Sequence, residues 1–294
     1  MKNFKGTGVA LVTPFLKTKQ IDFAGLEKLL IHTAKGVDYY VVMGTTGESA
    51  TLTTEEKLSV LDFALAHNSK KLPIVFGIGG NNTAQVVETI RKAKLKGVDA
   101  LLSVSPYYNK PSQEGIFQHF KAVAKATTLP IILYNVPGRT ASNISASTTL
   151  RLAEIPNIIG VKEASGNLEQ CMNICRKKPK HFELISGDDL LTSAFYAMGG
   201  AGVISVLANA FPEIFKNMKN YAGKGDAEKC AQEQFKLLDI NGPMYEEGNP
   251  VGVKLVLKKL GICEEFTRLP LAPASKELVK KINKLSDPLI KVKG

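Results

Sequence analysis

The sequence predicts an α/β fold, a (β/α)8 TIM barrel with a C-terminal helical extension, on three observations. The 294-residue chain repeats a strand-like run followed by a segment of helical apolar spacing, eight times within about 220 residues. The strand-like runs are continuously apolar rather than alternating, as parallel strands buried on both faces require. Past Lys224 the pattern changes to helices only. Residues 1–225 are therefore expected to form the barrel and 226–294 the helical extension. A doubly wound open sheet competes, but its dinucleotide fingerprint is not met. Gly77-Ile78-Gly79-Gly80-Asn81-Asn82 follows a strand yet carries Asn82 where the last glycine is required, so it reads as a tight turn.

In chain order, residues 8–13 read as a strand and 23–34 as a helix. Residues 39–43 are apolar, and a helix over 54–68 follows, with Thr54 as its N-cap and Glu55 and Glu56 well placed in its first turn. Residues 73–78 with 83–96 make the third unit, 99–103 with 112–126 the fourth, and 130–135 with 145–154 the fifth. The sixth pairs 158–162 with 167–177, the seventh 182–186 with 189–198, and the eighth 202–206 with 211–221. Helices near 226–239, 250–260 and 275–285 fill the extension.

A hydrophobic share of 44% supports a large core. The formal net charge of +11 raises nucleic acid as a partner, but only five of the 38 basic residues are arginine. The lysines are dispersed apart from 176–180 and 280–284, which read as solvated helix faces, and no aromatic residues interleave with them; nucleic-acid binding is set aside. Cys171, Cys175, Cys230 and Cys263 lack zinc-ribbon spacing, so neither a metal site nor a disulfide is expected. No stretch approaches a membrane span and the first residues carry no leader pattern; the expected location is the cytoplasm.

The segment IIGVKEASG, residues 158–166, ends a run of strand formers in Lys162. A free lysine is almost wholly protonated at pH 7, and a desolvated site lowers its pKa and frees an amine nucleophile. Alone, Lys162 reads more simply as a lysine that snorkels from the strand end or pairs with Glu163. Barrel enzymes, however, place their chemistry at the C-terminal ends of strands, and the unusual polar residues fall there. Gly44-Thr45-Thr46-Gly47-Glu48 follows strand two, Pro106-Tyr107-Tyr108-Asn109 strand four, and Tyr134 to Arg139 the end of strand five. Gly187-Asp188-Asp189 follows strand seven, and Ile204 lies in strand eight. Singly, these read as a tight turn, as aromatic packing and as a surface arginine; together, around a lysine, they read as a site.

A buried lysine among tyrosine and threonine hydroxyls, with no catalytic histidine, suits a Schiff base with a keto acid. Tyr134 is the candidate general acid and base, and Thr45 and Thr46 offer hydroxyls and amides to a small carboxylate. In a chain that otherwise uses lysine, Arg139 beside a Pro-Gly turn offers a fork for a second carboxylate.

The segments GTTGESATLT, SVSPYYNKPSQEG, ILYNVPGRT, IIGVKEASGNL and ISGDD together resemble the dihydrodipicolinate synthase family of pyruvate-dependent class I aldolases, from Gly8 to about residue 290. GTTGE and the lysine segment are shared broadly in that superfamily, and YNVPGRT is the more specific sign. The resemblance implies a lyase of diaminopimelate and lysine biosynthesis that condenses pyruvate with L-aspartate 4-semialdehyde, with no cofactor beyond the covalent Schiff base. It implies Lys162 as the Schiff-base lysine, Tyr134 as proton donor and acceptor, and Thr45 and Tyr108 as the other members of a hydroxyl relay. Thr46 and Ile204 would contact pyruvate, and Arg139 would receive the semialdehyde carboxylate, with Gly187 and Asp188 nearby. It also implies a homotetramer built as a dimer of dimers, with Tyr108 crossing the tight interface.

The chain departs from the resemblance at the lysine feedback site. Ser49, Ala50, Asn81 and Tyr107 match it, but Thr54 and Lys57 replace histidines and Gln85 stands where a glutamate would grip the ligand ammonium. A lost charge-assisted hydrogen bond removes roughly 1.5–3 kcal/mol, about 10-fold to 150-fold in affinity. Weak or absent inhibition by L-lysine is expected. Two other readings stay open: a sister pyruvate aldolase acting on N-acetylneuraminate or 2-keto-3-deoxy sugar acids, and a non-catalytic barrel that binds pyruvate.

Overall fold

The structure, a computed structural model, describes residues 4–290. Eight parallel strands close into a barrel in chain order: β1 (Gly6–Ala10), β2 (Tyr39–Val42), β3 (Ile74–Gly77), β4 (Ala100–Val104), β5 (Ile131–Asn135), β6 (Ile158–Glu163), β7 (Glu183–Ser186) and β8 (Gly202–Ser205). Between them run α1 (Phe23–Thr33), α2 (Thr54–Ala66), α3 (Thr83–Lys92), α4 (Gln113–Lys125), the one-turn α5 (Pro137–Thr140), α6 (Ala146–Ala153), α7 (Leu168–Lys177) and α8 (Thr192–Ala197). After β8 come α9 (Pro212–Gly223), α10 (Ala227–Phe235), α11 (Leu238–Tyr245), α12 (Val251–Lys259) and α13 (Lys276–Ile290). The predicted fold class is the one observed. Among the described residues no helix is long and apolar enough to cross a membrane.

The helices start where short polar side chains can accept the first free amides. Asp22, Asn82, Ser112, Ser145, Asn167 and Asp226 each cap the helix that follows. Local boundaries differ from expectation in several places: β1 covers Gly6–Ala10 rather than 8–13, and α13 runs on to Ile290. Thr53, not Thr54, caps α2, because only from that position can its hydroxyl accept from Glu56 N while Glu56 bonds back to Thr53 N. α3 stops at Lys92, where Ala93 turns to extended backbone. The helix expected over 189–198 is a 3-10 turn, Asp189–Leu191, running into α8. The stretch near 226–239 breaks at Lys236–Leu237 into α10 and α11.

Two compact units can be distinguished. The first is built on Pro73–Ile204 and holds β3 to β8. Its core is the set of fully buried aliphatics Leu101, Ile131, Leu133, Ile158, Val161, Leu184 and Val203. Each such side chain contributes roughly 1.5–3 kcal/mol on leaving water. Within it β5 and β6 run parallel with Tyr134 opposite Lys162 and Asn135 opposite Glu163. The second unit comprises Gly6–Leu72 and the chain from Ser205 onward. There Val9, Tyr39, Leu29, Phe215, Met218, Val253 and Val256 form the buried core.

Candidate active site

Strand alternation sorts the residues at the ends of β5 and β6. Successive side chains point to opposite faces, so Tyr134 and Lys162 share one face while Asn135 and Glu163 share the other. Lys162 Nζ lies 4.4 Å from the centre of the Tyr134 ring, and the lysine is only 5% exposed. Among the described residues it has no carboxylate within ion-pair distance. The alternative of a Lys162–Glu163 pair therefore fails, and strand geometry is the reason.

Glu163 instead joins a buried polar network behind the two strands. Asn135 Nδ2 donates to both carboxylate oxygens at 3.0 and 2.9 Å, Ser165 N donates to Oε1 at 2.8 Å, and Gln170 Nε2 donates to Oε2 at 3.0 Å. Asn135 also donates to Asn143 Oδ1 at 2.7 Å and accepts from Ile144 N at 2.9 Å. Every donor is neutral, which suits an acceptor-only carboxylate. The network fixes the backbone that carries Tyr134 and Lys162.

Gly187, after β7, keeps the lysine's path clear. A Cβ there would stand 2.6 Å from Ala164 Cβ and 3.1 Å from Lys162 Cε. Asp188 is half-buried, and its Oδ1 accepts from Leu190 N at 2.9 Å to cap the following turn. Ile204 is fully buried in β8. Arg139 sits exposed in α5, where Pro137 at the first helical position sets the turn.

Tyr107 and Tyr108 occupy the loop after β4, and both are exposed. Tyr108 has φ 71, in the left-handed region uncommon for an aromatic residue. Asn109 N donates to Tyr107 O at 2.9 Å and Asn109 Nδ2 to Asn81 O at 3.0 Å, which brings Asn81 and Tyr107 together. Gln85 is exposed near the start of α3.

In the other unit, β2 leads into a 3-10 turn, Thr45–Gly47, followed by a second, Ser49–Thr51. Thr45 is exposed and Thr46 buried; Ser49 is half-buried and Ala50 exposed. Lys57 in α2 is half-buried, and burial pushes its ammonium pKa down.

Sequence reasoning missed Asn135, read Glu163 only as a partner of Lys162, and missed Gln170 and Lys254. The first two carried a readable signal, since period-two alternation excludes them from the Lys162 face. Lys254 carried the very signal that singled out Lys162, a lysine inside an apolar run, VGVKLVL. It is fully buried and its Nζ lies 2.6 Å from Glu48 Oε1. Burial pushes its pKa down, and the Glu48 carboxylate opposes that shift. The four histidines hydrogen-bond elsewhere: His32 to Ala210 O, His67 to Phe63 O, His119 to Thr83 and His181 to Ala153 O.

Comparison with known proteins identifies the family. The family model described as the dihydrodipicolinate synthetase family matches residues 3–287. The 4-hydroxy-tetrahydrodipicolinate synthase of Cytophaga hutchinsonii is 50% identical over 283 residues, 96% of this chain and 95% of its own. The chloride-inhibited dihydrodipicolinate synthase of Acinetobacter baumannii, solved with pyruvate, is 38% identical with a TM-score of 0.94, covering 98% of this chain and 99% of that one. A dihydrodipicolinate synthase characterised as a monomeric variant is 35% identical with a TM-score of 0.94, covering 97% of each chain. With a family match across nearly its whole length, on a barrel whose sixth strand carries a buried lysine, the chain belongs to the dihydrodipicolinate synthetase family.

Proposed function

We propose that the chain condenses pyruvate with L-aspartate 4-semialdehyde through a Schiff base on Lys162, the reaction of the 4-hydroxy-tetrahydrodipicolinate synthases, in the cytoplasmic route to diaminopimelate and lysine. The observation that carries this reading is Lys162 itself, 5% exposed, without a carboxylate partner among the described residues, and stacked over Tyr134.

The neutral amine adds to the pyruvate ketone, and loss of water gives an iminium. The iminium draws electrons from the methyl carbon, which loses a proton and becomes an enamine nucleophile. That carbon attacks the semialdehyde aldehyde, forming the new C–C bond, and the aldehyde oxygen takes up a proton. The semialdehyde amine then attacks the iminium carbon, closes the ring and releases Lys162. Tyr134 moves the protons in this scheme, with Thr45 and a Tyr108 from a second copy as hydroxyl partners. Thr46 and Ile204 hold pyruvate, and Arg139 receives the second carboxylate, with Gly187 and Asp188 lining that side.

Borohydride reduction in the presence of pyruvate tests the reading. We expect a pyruvate-derived mass on the peptide bearing Lys162, and loss of the adduct with at least about a 10³-fold loss of activity in Lys162→Ala. Initial rates should favour aspartate semialdehyde over N-acetylmannosamine. An adduct on another lysine would remove the mechanism, and preference for the sugar aldehyde would move the chain to the sister lyases.

A further inference from the structure

The loop after β2 is tied, residue by residue, to distant parts of the chain. Asn249 Nδ2 donates to Thr46 Oγ1 at 3.0 Å, Thr13 Oγ1 donates to Gly47 O at 2.7 Å, and Lys254 Nζ donates to Glu48 Oε1 at 2.6 Å. Glu48 Oε2 accepts from Arg268 N at 2.9 Å. Lys254 also donates to Phe266 O at 2.7 Å and lies 4.4 Å from the centre of the Phe15 ring. The Arg268 guanidinium reaches Thr51 O at 3.0 Å and Glu56 at 2.6 and 2.8 Å. Glu48 itself holds φ 53, a left-handed conformation that a non-glycine residue keeps only where its surroundings enforce it.

Anchoring a helix to a loop needs no buried charge. α12 is apolar around Lys254, and a well-packed apolar pair of similar volume would do as well or better for stability, because desolvating two charges offsets most of their attraction. What the ion pair adds is direction, since a short charge-assisted bond at one carboxylate oxygen and an amide at the other allow a single placement of Glu48. Thr46, accepting from Asn249, keeps its own hydroxyl proton to donate elsewhere.

We propose that Glu48 and Lys254 are positioning residues that set the affinity for pyruvate: α12 and the Arg268 segment hold the Thr45–Thr46 turn in its carboxylate-binding form. The proposal rests on the pyruvate reading given above, and it makes the C-terminal helices part of the substrate site rather than an appendage.

The test measures pyruvate KM, kcat at saturating pyruvate and the melting temperature for Lys254→Met, Glu48→Gln and the double variant. The double variant leaves no lone buried charge, so its melting temperature should return close to that of the unmodified protein. Its pyruvate KM should nevertheless stay raised by at least about fivefold, with kcat largely kept, because a loop that binds substrate and transition state alike affects KM first. If Lys254→Met does not fold, the double variant and Glu48→Gln are read by the same criterion. A folded variant with a smaller rise in KM, or with a fall in kcat and no rise in KM, overturns the proposal. Failure of the unmodified protein to form any pyruvate adduct on Lys162 would instead remove the pyruvate reading, and this proposal with it.

Discussion

Lys162 and Lys254 are two lysines set in apolar runs, and what stands opposite each decides its chemistry. Lys254 faces Glu48 inside a closed shell, so its charge goes into placing the loop that carries Glu48. Lys162 faces an aromatic ring, with Gly187 leaving its stem room to extend. That room can be tested. In Gly187→Ala the new methyl must push on Ala164 Cβ, which is fixed to the backbone, and on Lys162 Cε, which carries the amine. We expect a stability loss of about 1–3 kcal/mol in urea melts and a fall in the rate of pyruvate adduct formation. Unchanged adduct kinetics would show that the lysine does not use this space. The Lys162 assignment was legible because a lysine ending a strand is unusual and polar residues gathered at the other strand ends. The Glu163 network was not legible to the same reasoning, because Asn143 and Gln170 reach it from outside the strands and only folding brings them to β6.

At the scale of elements, α2 shows how local and distant chemistry share one side chain. Glu56 closes the capping box with Thr53 and also receives the Arg268 guanidinium. Those bonds hold its carboxyl pKa at about 2, below the ordinary 4.5, with the Arg268 hydrogen bond as the leading cause. A pKa lowered on folding means that the folded protein binds this proton less readily than the unfolded chain. The contribution is therefore complete above about pH 5 and is lost as the pH falls toward 2. Because the pair is partly exposed, solvent screens it, and Glu56→Gln should cost no more than about 1 kcal/mol at pH 7. Denaturant melts should show that difference shrinking from pH 5 toward pH 2, and a difference constant with pH would refute the assignment. The alternation of strands and helices was readable throughout, since it rests on apolar periodicity. The boundaries at Thr53, at Ala93 and between α10 and α11 were not, because each turns on a specific hydrogen bond or backbone angle. The tie between Arg268 and α2 spans 212 residues, and no local pattern announces a partner that far away.

At the scale of the whole molecule, the loop after β4 is the feature a single copy leaves unexplained. Tyr108 is 89% exposed with φ 71, and Tyr107 beside it is 41% exposed. An aromatic side chain offers 150–250 Å² of surface to bury, roughly, and holding two of them in water on a strained turn costs energy that one chain does not recover. In the proposed function a second copy covers them and lends its Tyr108 hydroxyl to the Lys162 site. We expect the 31.8 kDa chain to sediment as a dimer or tetramer at micromolar concentration. Tyr107→Lys, which sets a charge in the contact without touching Lys162 or Tyr134, should shift the chain toward smaller species and lower activity in step with that shift. A chain that sediments as a monomer at full activity would end the crossing role of Tyr108. A dihydrodipicolinate synthase variant has been characterised as a monomer, so sedimentation and activity must be read on the same samples.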